Sequence, residues 1–134
     1  SVYTIFTAHS IPAESIEFGD PYSEEFDKTI KKLVERVRPN NWFKAYQSQG
    51  MIPVPWLGPT VESVLDKIAR QGSKTVLMVP VGFVCDHVEI LFDIDIEFSE
   101  YAKERKLNLY RTESLNLSPI FVETLASVTW ENLV

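Results

Sequence analysis

The chain has 134 residues, 45% of them apolar, and a formal net charge of −6. A single domain of that size buries about two-thirds of its unfolded surface without disulfide or structural metal, the apolar content excludes disorder, and no run approaches the ~18 uninterrupted apolar residues of a membrane span. The acidic balance argues against nucleic acid as a partner, and the lone Cys85 offers neither an internal disulfide nor a Cys-x-x-Cys motif for zinc or an iron–sulfur cluster, so a cytoplasmic location is expected.

The chain opens without an initiator Met, directly in a strand pattern from Val2 to Ala8, which suggests a fragment or a processed product. His9-Ser10-Ile11-Pro12 follows. Pro12 disfavours helix in the residue before it, so His9 is expected just past the strand's C-terminal end. Gly19-Asp20-Pro21-Tyr22 punctuates the chain, and Ser23 is the expected cap of a helix from Glu24 to Val37 with Phe26, Ile30, Leu33, Val34 and Val37 inward. Asn40-Asn41 turns into a second strand, Trp42 to Ser48. The Pro- and Gly-rich loop from Gly50 to Pro59 carries Trp56, an exposed aromatic unless it packs or binds something flat. Thr60 opens a helix to Arg70 that Gly72 closes. A third strand from Lys74 to Val81, an acidic helix from Asp86 to Lys106 and a fourth strand from Asn108 to Glu113 come next. Pro119 then begins a last helix with Phe121, Val122, Leu125, Val128 and Leu133 apolar. The βαβαβαβα order implies one domain over residues 1–134, a small doubly wound α/β fold whose parallel sheet has helices on both faces.

In such sheets ligands bind outside the carboxyl ends of the strands. His9 follows the first strand, Gln47 and Ser48 end the second, and Phe83 to Glu89 follow the third, so the unusual residues converge on one edge. At about 100° per residue, Asp86, Glu89, Asp93, Glu97, Glu100 and Glu104 fall within roughly 80° of one another on the acidic helix. No Lys or Arg stands between Lys74 and Lys103, so this column repels itself unless it holds a cation or a proton. The plainer reading of Asp86-x-x-Glu89 is a capping box, with Asp86 as the cap.

Glycine-rich phosphate loops are absent, and no Gly-x-Ser-x-Gly elbow accompanies Ser10 or Ser48. Imidazole plus carboxylate, as offered by His9, His87 and Glu89, suits a divalent first-row metal such as Fe²⁺, Zn²⁺ or Co²⁺. The same set could move protons.

Taken together, Thr7-Ala-His-Ser-Ile-Pro12, Gly19-Asp-Pro-Tyr22, Gln47-Ser48 with Pro55-Trp-Leu-Gly-Pro59, the run Asp86 to Glu97, and Arg111-Thr-Glu-Ser-Leu-Asn116 resemble the C-terminal half of ferrochelatase. The resemblance implies an enzyme of haem synthesis that inserts Fe²⁺ into a porphyrin, built from two flavodoxin-like (chelatase-like) domains with the macrocycle between them. It implies that His9 and Glu89 face each other across the metal site, that Trp56 and Phe83 line the macrocycle pocket with Gln47 and Ser48 nearby, and that Asp86, His87, Asp93 and Glu97 extend an acidic path. The expected partners are the porphyrin, ferrous iron as substrate and a missing N-terminal half of the same enzyme. No iron–sulfur cluster is expected, since the cysteine-bearing extension of some members is absent, and membrane contact is not predicted. Cys85 stands where Ser or Thr is common, Asp93 is one methylene shorter than the usual Glu, and the spacing from Gln47 to Trp56 is one residue longer than usual. Two alternatives stand beside this reading: a stand-alone cobalt or nickel tetrapyrrole chelatase acting as a homodimer, and a non-catalytic tetrapyrrole- or metal-binding module.

Overall fold

The computed structural model describes residues 1–133. Its elements are β1 (Val2–His9), α1 (Ala13–Glu17), α2 (Tyr22–Val37), β2 (Trp42–Gln47), α3 (Val61–Arg70), β3 (Thr75–Val79), α4 (Val88–Leu91), a π-helical turn (Asp93–Phe98), α5 (Ser99–Glu104), β4 (Asn108–Arg111) and α6 (Pro119–Glu131). The four strands form one sheet in the order β2-β1-β3-β4. All pairings are parallel, with His9 opposite Gln47 and Phe6 opposite Val79. The chain leaves β1 toward β2 and then crosses back to β3, so the strand order reverses between β1 and β3. That junction is where doubly wound sheets open a crevice.

Alternation along the strands divides the core. Ile5, Ala45, Val76 and Met78 meet Val61, Val64, Leu65 and Ile68 of α3, Ile90 of α4, Ile94 and Phe98 of the π-helical turn and Ala102 of α5. On the opposite face Phe6, Ala8 and Tyr46 meet Phe26 and Ile30 of α2. Helices therefore cover both faces, as the βα alternation implies.

Three local expectations are corrected. Ser23 does not cap α2: its hydroxyl pairs with Tyr46 at 2.8 Å, and the Asp20 carboxylate takes the Tyr22 amide at 2.9 Å. Val37, expected inward, is 67% exposed as the last residue of α2. The acidic helix is not continuous. The Glu97 amide reaches back five residues to the Phe92 carbonyl at 3.0 Å, a carbonyl that also accepts from Ile96, so the chain widens into a π turn between α4 and α5. The last helix, α6, forms as expected, but none of its residues is buried, and Ile120 and Trp130 remain 77% and 72% exposed. Its apolar side chains are spread around the helix, and Phe121 alone among them is half-buried. Beside α2, an apolar groove of about 300 Å³ stays open between Leu33, Val79, Val81, Phe83 and Leu115.

Candidate active site

Two main-chain devices bring the ends of β1 and β3 together. The Gly82 amide donates to the Thr7 carbonyl at 3.1 Å, and a Cβ at Gly82 would lie 2.7 Å from both Cα and Cβ of Ala8. Only glycine permits that approach. The loop leaving β3 thus runs against β1 and delivers α4, anchored by the fully buried Ile90, opposite His9.

His9 is fixed from several sides. Its Nδ1 lies 2.5 Å from the Ser10 carbonyl; a carbonyl only accepts, so Nδ1 carries a proton and Nε2 is the nitrogen that faces Glu89. The Tyr22 hydroxyl donates to the His9 carbonyl at 2.9 Å, and burial, with Tyr46, Asp20 and Glu89 nearby, keeps that phenol protonated by raising its pKa. The Ser10 amide donates to the Gln47 carbonyl at 2.7 Å, and the buried Ser10 hydroxyl to the Leu57 carbonyl at 2.9 Å. Asp-Pro-Tyr and the Ser of Ala-His-Ser are therefore scaffolding for one imidazole.

Glu89 is held as firmly. His87, not Asp86, is the cap of α4: its Nδ1 accepts from the Glu89 amide at 3.2 Å, which puts the His87 proton on Nε2, the opposite tautomer to His9. Glu89 Oε2, 3.9 Å from the same nitrogen, is too far to compete for it. Gln47, 2% exposed, donates from Nε2 to the Glu89 carbonyl at 3.0 Å, while its Oε1 is buried without a partner among the described residues. The result is His9 Nε2 at 3.2 Å from Glu89 Oε1, with both side chains about one-third exposed.

The pair opens into a cavity of about 550 Å³ lined by Gln47, Ser48, Glu62, Asp93 and Glu97 among others. Ser48, at a left-handed φ of 61°, donates its hydroxyl to Asp93. Asp93 and Glu97 keep a common face through the π turn, whereas Asp86, Glu100 and Glu104 do not line the cavity. Asp86 instead accepts from Ser114 at 2.7 Å and Asn116 at 3.1 Å, contacts that with Arg111 hold its carboxyl below the usual range. The continuous column expected from helical spacing is therefore three residues long, and of the acids that point elsewhere Asp86 pairs with Arg111 and Glu104 with Arg105. Phe83 lies outside the cavity, in the apolar groove, with its ring 5.1 Å from that of His87. Trp56 packs on Gly50 at the rim and donates its indole N–H to the Ile52 carbonyl at 3.1 Å. Glu62, absent from the sequence reading, sits in the first turn of α3 beyond the end of β2, and the rule that pointed to His9 and Gln47 could have found it.

Among the described residues no group of three His, Cys, Asp or Glu side chains is placed to hold a metal. His9 and Glu89 supply two donors of the type that suits a borderline divalent cation, and a four- to six-coordinate ion would draw the rest from water, from a chelating substrate or from another polypeptide. Among the described residues no helix is long and apolar enough to cross a membrane.

The ferrochelatase family model matches residues 1–133. A ferrochelatase of Herpetosiphon aurantiacus is 46% identical over 127 residues, covering 95% of this chain and 42% of the relative. One of Deinococcus radiodurans is 43% identical, with 95% and 41% covered, and the mitochondrial ferrochelatase of Homo sapiens is 37% identical, with 98% and 32% covered. The chain thus spans about two-fifths of the length of the bacterial relatives. A solved CbiX protein of Marinobacter aquaeolei VT8, assigned to cobalamin (vitamin B12) biosynthesis, superposes with a TM-score of 0.62 at 18% identity, covering 99% of this chain and 98% of its own; that likeness shows the fold.

Proposed function

Because this chain belongs to the ferrochelatase family, we propose that it is the C-terminal half of an enzyme that inserts Fe²⁺ into a porphyrin in haem synthesis. The observation that carries the reading is the opposition of His9 Nε2 and Glu89 Oε1 at 3.2 Å over an acid-lined cavity. Insertion must strip water from the metal, bend the ring so that pyrrole lone pairs meet it, and remove two N–H protons. His9, with Nε2 unprotonated, takes a pyrrole proton or holds the incoming ion. Glu89 is the opposing ligand or proton acceptor. Asp93 and Glu97 carry charge away along the cavity wall, and Gln47 and Ser48 set the positions of Glu89 and Asp93.

The chain offers one wall of a cleft. The open apolar groove that holds Phe83 and the unburied residues of α6 are surfaces for an N-terminal half, which would supply the remaining ring contacts with Phe83 and Trp56 at the margin. The cytoplasm is the proposed site of action. The CbiX chain, of the same length as this one, motivates a second reading, a homodimeric chelatase for a cobalt or nickel tetrapyrrole.

The test is anaerobic insertion of Fe²⁺ or Zn²⁺ into porphyrin followed by absorbance, with this chain alone and with the N-terminal half restored. Insertion only after restoration is the expected result. Insertion by the chain alone as a dimer supports the second reading, and insertion by neither form leaves a binding module.

A further inference from the structure

We propose that Arg111 is a positioning residue that clamps the π-helical turn and the loop ahead of α4 from behind, so that Glu89, Asp93 and Glu97 face the cavity. The proposal deepens the reading above and rests on it.

Arg111 ends β4, where the following Thr112 amide is fixed on the Met78 carbonyl at 3.0 Å. Its guanidinium takes Asp95 with both prongs, Nε to Oδ1 at 2.7 Å and Nη2 to Oδ2 at 2.9 Å. Nη1 donates to the Thr112 carbonyl at 3.0 Å and reaches Asp86 at 3.5 Å. Asp95 lies between Asp93 and Glu97 in the π-helical turn and points away from the cavity that those two line. Among the described residues, every ion pair to Asp86 and Asp95 comes from Arg111.

A π turn is a rare, poorly favoured backbone state that persists where surroundings hold it. A planar fork gripping the middle of the turn is suited to that task, and a Lys cannot reproduce it. The same cluster extends to the loop before His87: Asn116 exchanges bonds with Asp86, receiving its amide at 2.9 Å and donating to its carboxylate at 3.1 Å, while the Asn116 amide holds the Val84 carbonyl at 2.9 Å. Ser114 adds its hydroxyl to Asp86 at 2.7 Å. Arg111, Ser114 and Asn116 of the Arg-Thr-Glu-Ser-Leu-Asn stretch thus all act on the segment that carries Glu89, and none of them lines the cavity. The Arg111 guanidinium, bound to Asp95, also holds its proton more firmly than usual, so the arginine side of the clamp stays charged across the accessible pH range.

The test uses Arg111→Lys in the whole chain, with Asp95→Asn as the milder variant should Arg111→Lys fail to fold. Amide exchange of residues 93–98 and affinity for Co²⁺ alone are compared with wild type. Asp66→Asn, which breaks the separate Asp66–Arg105 pair between α3 and α5, controls for general destabilisation. The clamp requires exchange at 93–98 to rise by at least roughly tenfold and Co²⁺ affinity to fall roughly tenfold, with neither change in Asp66→Asn. Unchanged exchange overturns it, as does faster exchange with Co²⁺ affinity intact, or an equal loss of affinity in the control. If wild type binds no Co²⁺, the metal reading of His9 and Glu89 fails, and the exchange arm alone decides whether Arg111 holds the turn.

Discussion

His9 Nε2 and Glu89 Oε1 stand 3.2 Å apart across the point where the sheet reverses its strand order. The Ser10 carbonyl holds a proton on His9 Nδ1, and with no second proton on the ring Nε2 and the Glu89 carboxylate would turn lone pairs on each other. That contact is repulsive unless a proton or a cation lies between them. A site that exchanges a proton for a metal ion is the role proposed above for this pair, and metal insertion would demand it.

Glu89→Gln tests this directly. The amide can donate to Nε2 and satisfy the pair with no cation, so fold stability stays within ~0.5 kcal/mol. Metal affinity and insertion rate should each drop at least about tenfold. Titration with Co²⁺ and the porphyrin absorbance assay measure the two, and unchanged values in both would sink the assignment of Glu89.

Gly82→Ala should be costly far beyond its size. The added methyl meets the Ala8 backbone at 2.7 Å, which cannot give way without moving β1 from β3. A loss of about 1–3 kcal/mol is expected in urea unfolding. His9 and Glu89 would also separate, so metal affinity should fall even where the variant is folded.

Much of this was legible before any coordinates. β-rich runs between turn signals marked all four strands, and the rule about strand ends selected His9, Gln47, Ser48 and Glu89, because these depend on local pattern and on topology. What escaped depends on contacts between distant segments. The π-helical turn has no signature in a helical wheel, since its stabilising partner, Arg111, arrives from another strand. Asp86 read as a cap because its spacing fits, yet Ser114 and Asn116 outbid the helix for its carboxylate and His87 took the cap. The sequence marked the residues of α6 as apolar without showing where they would pack, because it records hydrophobicity and not which surface will receive it.

Gln47→Leu separates stability from function. It removes a buried donor and leaves the Glu89 carbonyl short of a partner, a loss of about 1–3 kcal/mol. It also removes Oε1, a buried acceptor without a partner among the described residues, which returns a similar amount. Net stability should therefore shift by less than ~1 kcal/mol in urea unfolding. Co²⁺ affinity should still fall, because Glu89 loses the bond that fixes its main chain.

The pH dependence of the clamp has a definite sign. Bonds from Ser114 and Asn116, and then the Arg111 charge, lower the folded pKa of Asp86 below its unfolded value. Its contribution is complete above the unfolded value of ~3.9 and is lost as pH falls through the lower folded one. Amide exchange in the loop from Val84 to His87, referred to the intrinsic rate at each pH, should therefore hold steady from pH 7 to pH 5 and rise only well into acid. In Asn116→Ala the rise should begin at higher pH. A rise in the wild type already near pH 6 would point to a histidine instead.

Helix α6 gives the sharpest contrast between this chain and the two-half enzyme proposed for it. No residue of α6 is buried, and Leu125 and Val128 are 51% and 54% exposed. Burial is what converts an apolar side chain into stability, so Leu125→Glu should leave the unfolding midpoint of this chain unchanged. With the N-terminal half restored, the same residue would face an apolar partner surface, and an unpaired carboxylate there should cost about 2 kcal/mol or more. Parallel urea melts of the short and restored proteins, each with and without Leu125→Glu, measure the difference. A silent substitution in both proteins would remove α6 from the interface, whereas destabilisation of the short chain would mean that α6 packs on its own sheet in solution.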